Sequence, residues 1–357
     1  MTSLFEPLVF RTGLSAPNRL LLAPMTNLQS HDDGSLGEDE LKWLVSRARG
    51  GFGVVMTCAS HVAADGQAWR GELGSFDDAL LPGLTRLASA LREAGAKSVV
   101  QLFHGGLRAD AKLTGTAPWS AMEGAGVRAG TEADLTRVIE QFAAAALRAK
   151  VAGFDGVEVH GAHGYLFTQF LSAENQRTDG WGGAFEHRAR LLREAVRAVR
   201  ARVGSGFTVG VRLSPEDFGN ARGLDLDESL QLAGALAKDG ADFIHLSLWH
   251  SAANTKKRPA EHALPLFRAV LPEDVRLLVA GAVWDRQEAE ALLALGADGI
   301  AIGQAAIANA AWPLGLQQPG WTPRRTPLTG AELLAQDVSP RFLDYLRLRK
   351  GFVVPGS

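Results

Sequence analysis

Eight short apolar runs, at 19–25, 54–60, 98–103, 156–161, 208–214, 243–248, 276–282 and 299–303, recur along the chain with longer helical patterns between them. Most are unbroken by polar residues, as in parallel strands covered on both faces. Parallel neighbours cannot be joined by a tight turn; each pair needs a crossover, usually a helix. Helices are expected at 38–49, 81–94, 131–152, 186–203, 227–239, 260–270 and 285–295, with a last one after 304. Within 131–152, Leu135, Val138, Ile139 and Phe142 fall at i, i+3, i+4 and i+7, which makes one buried stripe. Thr131 ahead of Asp134 reads as a capping box with a shortened acid, and Gly153 ends the helix.

Eight strand–helix units without a linker predict an α/β fold, a single TIM-type (β/α)8 barrel over 1–357 with a C-terminal tail from about 330 to 357. A doubly wound sheet is the structural rival. It would want Gly-x-Gly-x-x-Gly after an early strand, and Gly124, Gly126 and Gly130 have neither that spacing nor that place. The longest gap, 104–130, follows the third strand, which puts it on the catalytic face as a loop over the site.

Composition narrows the class. Hydrophobic content is 46% and charged content 21%, enough for a large core. Net charge is −2 and the pI is about 6.5, which argues against a nucleic-acid partner. Cys58 is the single cysteine, so no intramolecular disulfide is available and a reduced, cytoplasmic setting is expected. Met1 to Phe10 lacks a signal-peptide pattern, and no apolar stretch approaches the roughly 20 residues of a membrane helix.

The strand ends carry the chemistry. The first run ends Ala23-Pro24-Met25-Thr26, the third contains Gln101, and the fifth contains Arg212. The fourth runs out into His160, His163 and Tyr165. Two imidazoles can hydrogen-bond an electron-poor acceptor, and a phenol can supply a proton, so together they form a reduction site. An arginine within an apolar strand wants an anionic partner. Gly281 and Gly303, after runs seven and eight, stand where many barrels bind phosphate through backbone amides. Bland readings stand beside these. Arg212 could sit in an ion pair, Gln101 in packing and the glycines in turns. His104, Trp119 and Trp249 could be cavity wall or core, while Asn175, Arg177 and Asp179 read as loop structure. A His-x-x-His metal site lacks a convincing third ligand, so no metal is expected.

Taken in order, these motifs resemble the old yellow enzyme family, the FMN-dependent NAD(P)H ene-reductases, over nearly the whole chain. The resemblance rests on Leu4-Phe5-Glu6-Pro7-Leu8, Asn18-Arg19, Ala23-Pro24-Met25-Thr26, Gln101 and Ala152-Gly153-Phe154-Asp155-Gly156-Val157-Glu158. Its most specific part is His160-Gly161-Ala162-His163-Gly164-Tyr165-Leu166, followed by Gln169-Phe170-Leu171-Ser172, Asn175 and Arg177-Thr178-Asp179. It closes on Gly281 and Gly303.

The resemblance implies non-covalent FMN across the barrel mouth, lined by Ala23, Pro24, Met25 and Thr26, with Thr26 near the flavin C4 oxygen and N5. It implies backbone contact from Ala59, Gln101 on the pyrimidine edge, and Arg212 at the N1/C2-oxygen region. Gly281 and Gly303, with Gln304 beside them, would hold the phosphate. NADPH or NADH would reduce FMN and leave. An α,β-unsaturated carbonyl compound would then bind with its oxygen on His160 and His163, take hydride from flavin N5, and be protonated by Tyr165. The chain departs from the family at Gln304, usually arginine, and at Trp181, His187 and Leu28. Thr26 stands where one bacterial subgroup has cysteine.

Rival functions are a non-catalytic flavin or small-molecule binding protein, which would not need Tyr165, and another FMN-barrel oxidoreductase such as a demethylase. The longer iron–sulfur relatives are disfavoured, because one cysteine cannot ligate a cluster. A tRNA-modifying FMN barrel is disfavoured by the acidic pI. A homo-oligomer is allowed for, with Arg341, Tyr345, Arg347 and Arg349 of the tail reaching a neighbouring subunit's site.

Overall fold

The computed structural model describes residues 3–356. Residues 1, 2 and 357, the ends of the expected 1–357 unit and the start of its N-terminus, lie outside the described residues. The eight expected strands form as β1 (Leu20–Leu22), β2 (Val54–His61), β3 (Lys97–Phe103), β4 (Gly156–Gly161), β5 (Thr208–Leu213), β6 (Phe243–Ser247), β7 (Arg276–Ala280) and β8 (Gly299–Ile302). Each pairs in parallel with the next, and β8 pairs with β1 (Ile300 opposite Leu20), which closes the barrel. β1 is shorter than the expected 19–25. Pro24 has no N–H to donate, and the ladder stops at Ala23, whose N–H reaches Ile302 O at 3.0 Å.

Helices α1 (Glu38–Arg49), α2 (Leu81–Glu93), α3 (Glu132–Ala152), α4 (Arg190–Val203), α5 (Leu226–Lys238), α6 (Ala263–Val270), α7 (Arg286–Ala294) and α8 (Gln304–Ala308) follow the strands in turn. On α3 the stripe is buried at Leu135, Val138 and Phe142, with Ile139 half-buried at its edge. Thr131 and Asp134 form the reciprocal capping box, worth about 1 kcal/mol, and Gly153 adopts the left-handed φ of 92° that ends the helix. No helix among the described residues is long and apolar enough to cross a membrane.

Two apolar layers result. The outer one lies between strands and helices. The inner one fills the lower barrel with Leu21, Val54, Met56, Val99, Phe243 and Leu278, and a short N-terminal hairpin (Leu8–Val9 with Ser15–Ala16) adds Leu8, Phe10 and Ala16 as a plug. This layer has no slack. A Cβ on Gly210 would stand 2.0 Å from the Phe243 ring, so glycine on β5 is what lets that ring lie across the barrel. Near its upper end β2 carries a bulge between Met56 and Ala59. There Thr57 Oγ1 accepts from the Gln101 N–H at 3.2 Å, and Ala59 is turned to the barrel mouth.

Gly210→Ala is therefore expected to destabilise the barrel by about 1–3 kcal/mol through overpacking. Gly210→Ala with Phe243→Leu should recover part of that loss in denaturant unfolding. Equal stability of Gly210→Ala and the parent would contradict this packing account.

Candidate active site

The upper ends of the strands converge on one small cavity of about 60 Å³, lined by Pro24, Met25, Thr26, Ala59, Trp69, Gln101, His160, His163, Tyr165 and Arg212. Nine of these ten are residues singled out in the sequence, and Trp69 is the addition. Alternation explains the convergence: Glu158 and His160 on β4, Gly210 and Arg212 on β5, and His245 and Ser247 on β6 point inward as i, i+2 pairs. After β4, His163 takes a left-handed φ of 65° and Gly164 one of 77°, so the chain doubles back and returns the His163 ring to the barrel.

The two imidazoles form a directional chain. The Ala162 N–H donates to His160 Nδ1 at 3.2 Å, which leaves the proton of a neutral ring on Nε2. His160 Nε2 then donates to His163 Nδ1 at 3.3 Å, and His163 Nε2 donates to Ser247 Oγ at 2.7 Å. Arg212 Nη2 also donates to Ser247 Oγ, at 3.1 Å. Both rings are neutral at ordinary pH. Burial pushes their pKa values well down, and for His160 the neighbouring His163 and Arg212 add to it, for His163 chiefly Arg212.

Below them lies a polar layer that the sequence reading missed. Glu158, fully buried, accepts from Gln101 Nε2 at 2.7 Å and from His245 Nδ1 at 2.7 Å. Burial pushes this carboxyl up. His245, Arg212 and the Gln101 amide outweigh it and hold the group below the ordinary glutamate value. Because Glu158 takes the Gln101 amide nitrogen, the carbonyl oxygen of that amide is the end left for a ligand. Arg212 is buried, with no carboxylate bound to it among the described residues. Nη1 reaches Pro24 O at 3.5 Å, and Nε has no partner. A sealed cation with a spare donor is the feature an anionic ring system satisfies.

Tyr165 stands against Phe103, whose ring is edge-on at 4.5 Å, and under Arg108, whose guanidinium carbon is 4.2 Å from the phenol centroid. Arg108 belongs to the loop 104–130, and Gln169 ties that loop down. Gln169 Nε2 donates to Gly105 O (3.2 Å) and Gly164 O (2.9 Å), while Oε1 accepts from Leu107 N (3.0 Å) and Ser120 Oγ (2.9 Å).

The other singled-out residues lie outside the cavity wall, among them four of those expected to bind the cofactor. Ala23 packs in the inner apolar layer. Gly281 sits at the end of β7, where a Cβ would press on Leu248 O at 2.8 Å, so close packing already demands glycine. Gly303, at the end of β8, faces only Met25 Sδ at 3.5 Å; no packing constraint requires it, and it leaves room for a ligand to approach. Gln304 is exposed beside it. His104 and Trp119 are core, joined through Asp65, and Trp249 is 73% exposed on a neighbouring groove. Asn175, Arg177 and Asp179 brace their own loop. The tail packs on its own barrel, with Phe342 edge-on to Trp43 and Arg341 on Ser30 O and Asp32.

The sequence profile of the NADH:flavin oxidoreductase / NADH oxidase family matches residues 3–319. The protein named "Probable NADH-dependent flavin oxidoreductase YqiG" of Bacillus subtilis is 34% identical over 331 residues, 88% of either chain. Three further relatives are longer, and the chain spans 33%, 35% and 48% of them. The structure of the old yellow enzyme homologue from Zymomonas mobilis superposes with a TM-score of 0.81 at 25% identity, over 96% of this chain and 99% of that one. Morphinone reductase in complex with tetrahydroNAD gives 0.80 at 28% identity, over 93% and 94%.

The buried histidines set a pH dependence. His160, His163 and His245 are depressed mainly by burial, and His61 is pushed down to about 4. Below about pH 6.5 the unfolded chain takes up protons that the folded one refuses. Stability should therefore fall as pH drops from 7.5 to 5.5, by up to about 1.4 kcal/mol per pH unit for each histidine. Denaturant midpoints that stay flat over that range would contradict the neutral assignment.

Proposed function

Because the chain belongs to the NADH:flavin oxidoreductase / NADH oxidase family, among the old yellow enzymes, we propose that this FMN-dependent NAD(P)H oxidoreductase reduces activated C=C bonds of α,β-unsaturated carbonyl compounds. The observation that carries the reading is the cavity itself, where His160, His163 and Tyr165 share a wall with Thr26, Gln101 and Arg212. Bound FMN, reduced by NAD(P)H, supplies hydride at N5.

The protein's part follows from its side chains. Arg212, with Nε unpaired, meets the negative charge that gathers at the N1/C2-oxygen region on reduction. Gln101 offers its oxygen to the pyrimidine edge, where a flavin carries an N–H. Thr26, Ala59 and Pro24 flank the ring. Gly303, and more weakly Gly281, present amides to the phosphate, with Gln304 beside them. The carbonyl oxygen of the substrate sits on the imidazole N–H groups, which draw electron density from the β-carbon. For both to reach one oxygen, His163 releases Ser247 and His160 releases His163, so binding breaks the resting chain of hydrogen bonds. Tyr165 gives its proton to the α-carbon. An isoalloxazine needs more than the present 60 Å³, and the unbranched Met25 and the rotatable His163 are the residues able to give way. We read the whole chain as one FMN-binding unit. One buried, unpaired Cys58 suits a reducing cytoplasm.

The purified protein should be yellow, bleach with NADPH or NADH under anaerobic conditions, and regain colour with cyclohexenone. A colourless protein that takes up no added FMN overturns the reading. His160→Ala with His163→Ala should abolish phenol charge-transfer bands. Tyr165→Phe should slow reoxidation by the enone about 10²-fold or more while flavin still bleaches with NADPH.

A further inference from the structure

Tyr165 stands in a box of rings. Besides Phe103, the His160 ring lies 5.3 Å away and Trp69 6.3 Å. Such a box is a poor solvent for charge, and burial pushes the phenol pKa above its ordinary value. Proton donation to carbon leaves a charge in that box. As hydride forms the β C–H bond, the π pair of the C=C bond takes the phenol proton at the α-carbon. The O–H bond breaks, and a phenolate remains until water reprotonates it.

The groups facing the phenol can be named. Glu72, from the segment after β2, has its carboxyl pKa pushed well up by burial, and Tyr345 comes from the tail helix (Pro340–Arg347). His160 and His163 are neutral. Arg108 is the cation on the ring face. It donates to His163 O at 3.1 Å, and the Asn220 side-chain oxygen, with its amide oriented to accept, lies 3.2 Å from both terminal nitrogens. Arg128, Arg137 and Arg177 are each bound to an aspartate, whereas Arg108 has no ion pair among the described residues. Its charge is uncommitted, and the Gln169 tether fixes where it sits. On its far side lies an open groove of about 970 Å³, lined in part by Arg108, Gly164, Gln169 and Asn220, through which water reaches it.

We propose that Arg108 is a positioning residue acting through Tyr165, the counter-ion of the phenolate left when that tyrosine protonates the substrate's α-carbon. The inference rests on the donor role proposed for Tyr165. A positive charge at this place, more than guanidinium shape, is the requirement, so lysine should substitute in part.

Tyr345→Phe leaves Tyr165 as the only tyrosine. With FMN bound and carbon-13 at tyrosine Cζ, NMR follows its ionisation directly. Arg108→Met should raise the titration midpoint by about one pH unit or more, a tenfold weaker acid, and Arg108→Lys should stay near the parent. Reoxidation of reduced enzyme by an enone should slow about tenfold in Arg108→Met, recover with Arg108→Lys, and show no added loss when Arg108→Met is combined with Tyr165→Phe. Unchanged midpoints beside a slow Tyr165→Phe sink this inference alone, as does a loss that persists in the Tyr165→Phe background. A Tyr165→Phe enzyme reoxidised at the parental rate removes the donor reading and this inference with it.

Discussion

A carboxylate sealed inside a barrel is the constraint around which the upper half of this fold is arranged. Glu158 is fully buried, and an unpaired buried charge costs several kcal/mol. Three other strands satisfy it: Gln101 from β3, His245 from β6, and the field of Arg212 from β5. Each partner is thereby oriented for a second task. Gln101 gives its amide nitrogen to Glu158 and lines the cavity, and Arg212 stays buried with Nε unpaired among the described residues. Burial, with Arg212 beside them, keeps the imidazoles above Glu158 neutral, so they do not compete with Arg212 as cations.

Much of this was legible in the chain. Eight apolar runs with helices between them predict a parallel sheet covered on both faces, and the lack of a dinucleotide-binding glycine pattern favours the closed barrel over a doubly wound sheet. The strand ends were legible too, since polar residues at the exit of an apolar run stand out. Gln101 and Arg212 stood out inside their runs, whereas the roles of Glu158, His245 and Ser247 escaped. Glu158 is flanked by valines, and His245 and Ser247 alternate with Ile244, Leu246 and Leu248. A continuous-run reading treats such residues as noise. The period-two rule would have found them, because Glu158 shares the face of His160, and His245 that of Ser247. Arg108 had no comparable signal. A loop residue's place is set by what the loop is tied to, and here that is a glutamine more than sixty residues away.

The glycines show the converse. Gly281 and Gly303 looked alike at the ends of successive strands. In the fold Gly281 is obliged by its neighbours, while Gly303 has space in front of it. Similar letters at equivalent barrel positions answer to different causes, and only the surrounding atoms separate them.

The four hydrogen bonds of Gln169 divide the loop after β3 into two parts of different character. Residues up to Leu107 are anchored to the turn that carries His163 and Tyr165, and Ser120 is held from the same side chain. The stretch between is looped out from a bulkhead. Gly106, with φ 59°, would meet Gln169 Oε1 at 2.2 Å if it bore a side chain, so the bulkhead tolerates no thickening there. Arg108 follows this anchor directly and lies on the phenol ring, so the stretch that can vary is the one between Arg108 and Ser120. A barrel built this way can change its rim while the spacing between the Tyr165 ring and the Arg108 guanidinium stays fixed.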